Sequence, residues 1–175
     1  MSGVKGMKWG VRNGPPYPLE SKYKNPKELL SHMESFKYKE FTKLKSPEEV
    51  EKTKSGSCHD QVLYELNELR KMGLNPKAMF IMEVNEKTGQ GGMTHSLVYF
   101  NDNNRTYYLE NAWQNNRGLH AMKTELDIKN KIKRAHNGGT FGDKNQYSTL
   151  LFSDFHEERH KIGEDLQELV DRCLD

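Results

Sequence analysis

The chain has 175 residues, 34% of them hydrophobic, and a mean hydropathy of -0.96; this suffices for one globular domain with polar segments outside its core and excludes two full-sized ones. No run of about 18 apolar residues exists, and the first residues lack an apolar stretch ahead of a small-residue cleavage site, so we expect a soluble protein without signal peptide or membrane contact. Net charge is only +2, with 12 Lys/Arg against 7 Asp/Glu in residues 1–57 and 15 against 18 in the remainder. A basic arm on a near-neutral domain does not make a nucleic-acid binder.

Residues 1–24 read as an extended basic arm, because the glycines and prolines of "GVKGMKWGVRNGPPYPL" deny any regular element. Residues 25–175 read as one α+β domain. "NPKELLSHMESF" predicts a helix capped by Asn25 with Pro26 in its first turn, and "SPEEVEKTK" repeats the signal from Ser46 and Pro47. The strongest pattern is "CHDQVLYELNELRKMG", with Val62, Leu66 and Leu69 on one helical face and Gly73 as its stop. Strands are expected in "KAMFIMEV", "THSLVYF" and "RTYYLENAW", the last two joined as a hairpin by the turn at residues 101–104. Thr124 caps an expected helix in "TELDIKNKIKRAH", "YSTLLFSDF" reads as a final strand, and "EERHKIGEDLQELVDRCL" as an amphipathic C-terminal helix presenting Ile162, Leu166, Leu169, Val170 and Cys173. Cys173 is expected to be structural there. His59, His120 and His136 are expected at the surface.

Two stretches could carry chemistry. His156, Glu157 and His160 spell HExxH, which on a helix supplies two zinc-binding imidazoles and a carboxylate to take a proton from bound water. A third ligand is missing: the extended pattern would place histidine where Leu166 stands, and Glu164, Asp165 and Glu168 share the same short segment. Zinc protease is therefore a minor alternative, no metal or other cofactor is expected, and the motif reads as the polar start of the C-terminal helix.

Cys58 opens the best amphipathic helix directly after "SGS". Unpaired backbone N–H groups and the helix dipole there lower a thiol pKa and can hold an oxyanion. A thiolate nucleophile also needs a base and a group to orient that base. His95 begins one hairpin strand and Glu110 ends the other; a turn at 101–104 pairs residue 100 with 105 and thus 95 with 110. Asn111 is the alternative orienter. Asp60 and Gln61 are candidates for supporting the helix start or the site, and Trp113 for a site wall.

These residues, with "SPEEVEKTKSGSCHDQ" and "THSLVYFNDNNRTYYLENAWQNNRGLH", resemble a bacterial and phage branch of the transglutaminase-like and papain-like cysteine enzymes over roughly residues 40–135. The resemblance implies a nucleophile helix packed on a small antiparallel sheet, with further helices toward the C-terminus. It also implies a Cys58–His95–Glu110 triad for acyl transfer on amide bonds, by protease, deamidase or transglutaminase chemistry. Many relatives use Asp at the third position, where Glu110 stands here. Residues 3–19 are similar to a segment of tailed-phage head proteins, which implies a phage origin and a location in the bacterial host cytoplasm or on the virion; the arm is expected either to be unstructured and without catalytic importance or to dock to a phage head or host protein through Trp9 and Tyr17. The competing expectation is a non-enzymatic phage module that uses the same fold to sequester a host factor or small ligand.

Overall fold

The computed structural model describes residues 21–39, 43–165 and 168; the arm's first 20 residues and most of the segment after Asp165, with Leu166, Leu169, Val170 and Cys173, lie outside them. Helix α1 spans Pro26–His32, with the Asn25 side chain accepting from the Glu28 N–H. After the short strand β1 (Lys37–Tyr38), α2 (Pro47–Thr53) starts from a reciprocal capping box between Ser46 and Glu49. Strand β2 (Ser55–Gly56) pairs in parallel with β1, and α3 runs Cys58–Lys71. Then come β3 (Lys77–Asn85), β4 (Gly91–Asp102), β5 (Arg105–Glu110), β6 (Gly118–Met122), α4 (Glu125–Asn137) and β7 (Ser148–Asp154). Ahead of α1, Tyr23 is buried and its hydroxyl lies 2.8 Å from that of Tyr64.

The main sheet is antiparallel throughout, in the order β6-β5-β4-β3-β7. One face is covered by α3, whose Val62, Leu66 and Leu69 share a core with Val98, Phe100 and Leu109. The other meets α4, whose Ile128 and Ile132 pack with Met79, Ile81, Leu97, Tyr99 and Tyr108. Burial on both faces explains why "KAMFIMEV" is apolar almost throughout: its strand sits between β4 and β7 under two helical layers. No helix among the described residues is long and apolar enough to cross a membrane.

Four expectations need correction. The 101–104 turn is tighter than expected, because Asn103 and Asn104 take positive φ values of 49° and 64° and Asp102 pairs with Arg105. Asparagine tolerates this left-handed backbone, so two residues suffice and the hairpin register moves by two positions. The strand ends at Glu110, and Asn111–Trp113 bend away from the sheet. His59 and His136 are buried: His59 is hydrogen-bonded through Nδ1 to Ser96 Oγ at 2.7 Å, and His136 Nε2 donates to Glu83 Oε2 at 2.6 Å.

The fourth concerns HEERH. The C-terminal helix does not begin there: Glu157–Arg159 form one 3₁₀ turn, His156 and His160 have extended backbone, and Ile162 is 52% exposed. Tertiary contacts override the helical spelling, since Glu157 forms a two-point ion pair with Arg70 of α3 at 2.8 Å and His160 packs on Phe155 with centroids 4.4 Å apart. The two imidazoles thus do not share a helical face as a zinc helix requires. Among the described residues no group of three or more His, Cys, Asp and Glu could hold a metal.

Candidate active site

The segment Ser55–Gln61 builds the start of α3 residue by residue. Ser57 is the N-cap: its hydroxyl accepts from Asp60 N at 3.2 Å, while Asp60 Oδ2 accepts from Ser57 N at 2.9 Å. The other Asp60 oxygen accepts from Lys45 N at 3.0 Å, tying the preceding loop to the helix. Gln61 donates to the Gly56 carbonyl at 3.2 Å and accepts from Asn111 Nδ2 at 2.7 Å. Asp60 and Gln61 thus hold the backbone on either side of Cys58.

Gly56 is required by this closeness. A Cβ there would lie 2.7 Å from Asp60 Cβ and 3.1 Å from its carboxylate. Both atoms belong to the helix cap and have nowhere to go, so Gly56→Ala is expected to cost about 1–3 kcal/mol by overpacking. Urea unfolding at fixed pH measures this, and an unchanged midpoint would contradict it.

Cys58 is the first residue of α3 and is 3% exposed. Burial alone would raise its thiol pKa, but interactions with the neighbouring His59 and His95 outweigh it and bring the value down to about 6. His95 shows the mirror image. Burial would lower it, yet the Glu110 charge and Cys58 raise it to about 10. Between these values the pair is a thiolate beside an imidazolium.

Glu110 sits under His95, with His95 Nε2 donating to its Oε1 at 2.6 Å. That leaves Nδ1 as the ring nitrogen available to the thiol. In the observed register Glu110 lies opposite Leu97, diagonal to His95 rather than directly across from it. A shift of two residues preserves the face, so the two side chains still meet. Asn111 turns the other way: its amide donates to Gln61, and its oxygen accepts from Arg117 Nε at 2.8 Å. Of the two adjacent orienter candidates, only Glu110 touches the imidazole.

Trp113 stands beside the ring, centroids 6.5 Å apart and edge-on. Its backbone N–H donates to the second Glu110 oxygen at 3.0 Å. His95, Trp113 and Phe141 border a cleft of about 290 Å³ that Tyr38 and Met93 also line. A larger groove of about 700 Å³ lies elsewhere, between Arg70, Lys77, Lys123 and Asp154, and none of the candidate triad residues lines it.

Two further residues, Glu65 and Phe141, belong to this neighbourhood. Glu65 is 2% exposed, and its Oε2 finds no hydrogen-bond partner among the described residues. Burial, reinforced by the Glu110 charge, pushes its pKa well above the carboxylate range. Its place seven residues after Cys58, two helical turns along one face, was available from periodicity. Phe141 had no such signal, coming from the glycine-rich "NGGTFGD".

The chain matches no family model, and no curated protein matches it significantly. The α+β class and the geometry around Cys58 therefore stand on the chain's own residues.

Proposed function

We propose that the protein is a cysteine-dependent acyl-transfer enzyme of papain-like or transglutaminase-like type, acting on amide bonds of proteins or peptides. The observation that carries this reading is the convergence of Cys58, at the start of α3, with a buried His95 held by Glu110. The Cys58 sulfur attacks the amide carbonyl carbon, and the N–H groups of Cys58 and His59, in the first turn of α3, hold the resulting oxyanion. The C–N bond then breaks as His95 gives its proton to the leaving nitrogen. Water, or a second amine, gives up a proton to His95, attacks the thioester carbonyl and releases the thiolate. Glu110 orients the imidazole and offsets its charge throughout.

Peptide hydrolysis, glutamine deamidation and amine transfer share this first half and differ only in the acceptor and the amide supplied. The test is to incubate the chain, and a Cys58→Ala variant, with a mixture of host-cell peptides and a fluorescent primary amine. Mass spectrometry then reads new N-termini, deamidated glutamines and amine adducts. At least one class of change is expected with the parent and absent with Cys58→Ala. Identical products from both chains overturn the reading.

One observation favours a second reading, a binding module that keeps the fold without turnover: Cys58 is 3% exposed. Under that reading iodoacetamide labels Cys58 no faster than Cys173. The phage origin and the docking role of the arm rest on the spelling of residues 3–19 alone. Deleting residues 1–18 tests docking, since unchanged capture of phage head proteins by the shortened chain rules it out.

A further inference from the structure

The cleft beside His95 has a composition that selects its occupant. Apart from His95 itself, no charged side chain among the described residues lines it. An ammonium entering it would meet the His95 imidazolium and, among the described residues, no lining acid, so it would be desolvated without compensation. Two walls are aromatic, since the Trp113 and Phe141 rings meet edge-to-face with centroids 4.8 Å apart and the Phe141 centroid is 5.7 Å from that of His95, while the uncharged Thr94, Asn115 and Thr140 line the remainder. At about 290 Å³ the cleft falls at or below the smallest small-molecule sites, which begin near ~300 Å³. It is sized for one side chain rather than a whole ligand.

Both walls are fixed from behind by buried carboxylates. The chain at Trp113 hangs on Glu110, as described above. Phe141 belongs to a loop held by Glu83, which accepts from the Asp143 N–H at 3.2 Å and from His136 Nε2 at 2.6 Å. At Gly142, with φ of 73°, a Cβ would lie 3.0 Å from the Glu83 carboxylate, so the loop closes tightly over that anchor. A cleft with both walls tied to the sheet in this way is formed before any substrate arrives.

The geometry points to a specificity pocket that takes one uncharged apolar side chain, aromatic or branched, from the residue next to the amide that Cys58 attacks. The inference rests on Cys58 being the nucleophile, and it restricts the substrates of that site to apolar-flanked amides.

The test uses N-acetyl amino-acid chloromethyl ketones with benzyl, methyl, carboxymethyl and aminobutyl side chains on the full chain. Each inactivation rate at Cys58 is divided by the rate with iodoacetamide, which carries no side chain. The benzyl reagent is expected to exceed the methyl one by about tenfold to a hundredfold, the range that burying an aromatic ring supports. The aminobutyl reagent falls below the methyl one, and the carboxymethyl reagent, which has only His95 to meet, stays below the benzyl one. Phe141→Ala lowers the benzyl-to-methyl ratio toward one, and Phe141→Leu keeps part of it. The reagent series on the parent chain is decisive whether or not the variants fold. Fast iodoacetamide labelling with equal benzyl and methyl rates overturns the pocket and leaves the nucleophile standing. Iodoacetamide labelling of Cys58 no faster than that of Cys173 overturns the nucleophile, and the pocket with it.

Discussion

Iodoacetamide alkylation of Cys58 is expected to give crossing pH profiles for the parent chain and His95→Ala. In the parent the thiol is half ionised near pH 6, because His59 and His95 outweigh burial. Removing His95 leaves His59 in place, so we take the midpoint to rise by about two units toward the ordinary thiol value. At pH 6 the thiolate fraction then falls roughly fiftyfold, while the more basic sulfur becomes about eightfold more nucleophilic, a net slowing of about sixfold. At pH 9 both thiols are largely ionised, and the variant alkylates about eightfold faster. The curves cross slightly above neutrality. A variant that merely loosened packing over the buried sulfur would move the whole profile one way, so two profiles that never cross would remove His95 as the partner of Cys58.

Glu110→Gln separates charge from shape. Glutamine can keep a hydrogen bond to the ring but offers no negative charge, and burial then dominates and lowers the His95 pKa. The thiolate–imidazolium pair reverts toward thiol and neutral imidazole. Turnover of whichever amide the peptide screen identifies is expected to fall by about 10²–10⁴, the scale on which an orienting carboxylate acts. Stability falls too, by roughly 3 kcal/mol, since one partner of a buried pair is left alone. The pH dependence has two opposing parts. The native pKa of His95 lies above its unfolded value, so its contribution is complete below about pH 6.5 and lost as pH rises through about 10. The native pKa of Cys58, about 6, lies below its unfolded value, so its contribution grows as pH rises from there toward the ordinary thiol value. The stability gap between parent and Glu110→Gln therefore stays nearly level between about pH 6.5 and 8.5. The absence of a gap in that range would show that Glu110 does not stabilise a charged His95.

Much of the architecture could be read directly, and the reasons are local. Asn25–Pro26, Ser46–Pro47 and Thr124 each mark a helix start through cap chemistry that depends on nearest neighbours alone. The relation between His95 and Glu110 survived an error of two residues in register, because side-chain direction in a strand depends only on parity. What could not be read depends on distant parts of the chain. Strand β6 is a half-buried edge strand without alternation, and β1 and β2 have two residues each. Nothing in "NGGTFGD" says that Phe141 reaches His95; that follows from α4 crossing the opposite face of the sheet and from the grip of Glu83 on the loop. The HEERH turn fails as a helix for the same kind of reason, since Arg70 and Phe155, its anchors, lie outside the motif.

The two walls of the His95 cleft touch through their rings but hang from separate anchors. Trp113 hangs from the carboxylate that also holds His95, so any change that swings the 110–113 corner disturbs the base as well. Phe141 hangs from Glu83 and His136, a pair with no atom in the candidate triad. Preference for a side chain can therefore drift along the Phe141 wall while the reactivity of the thiol is conserved, whereas the Trp113 wall can change only together with the chemistry it borders.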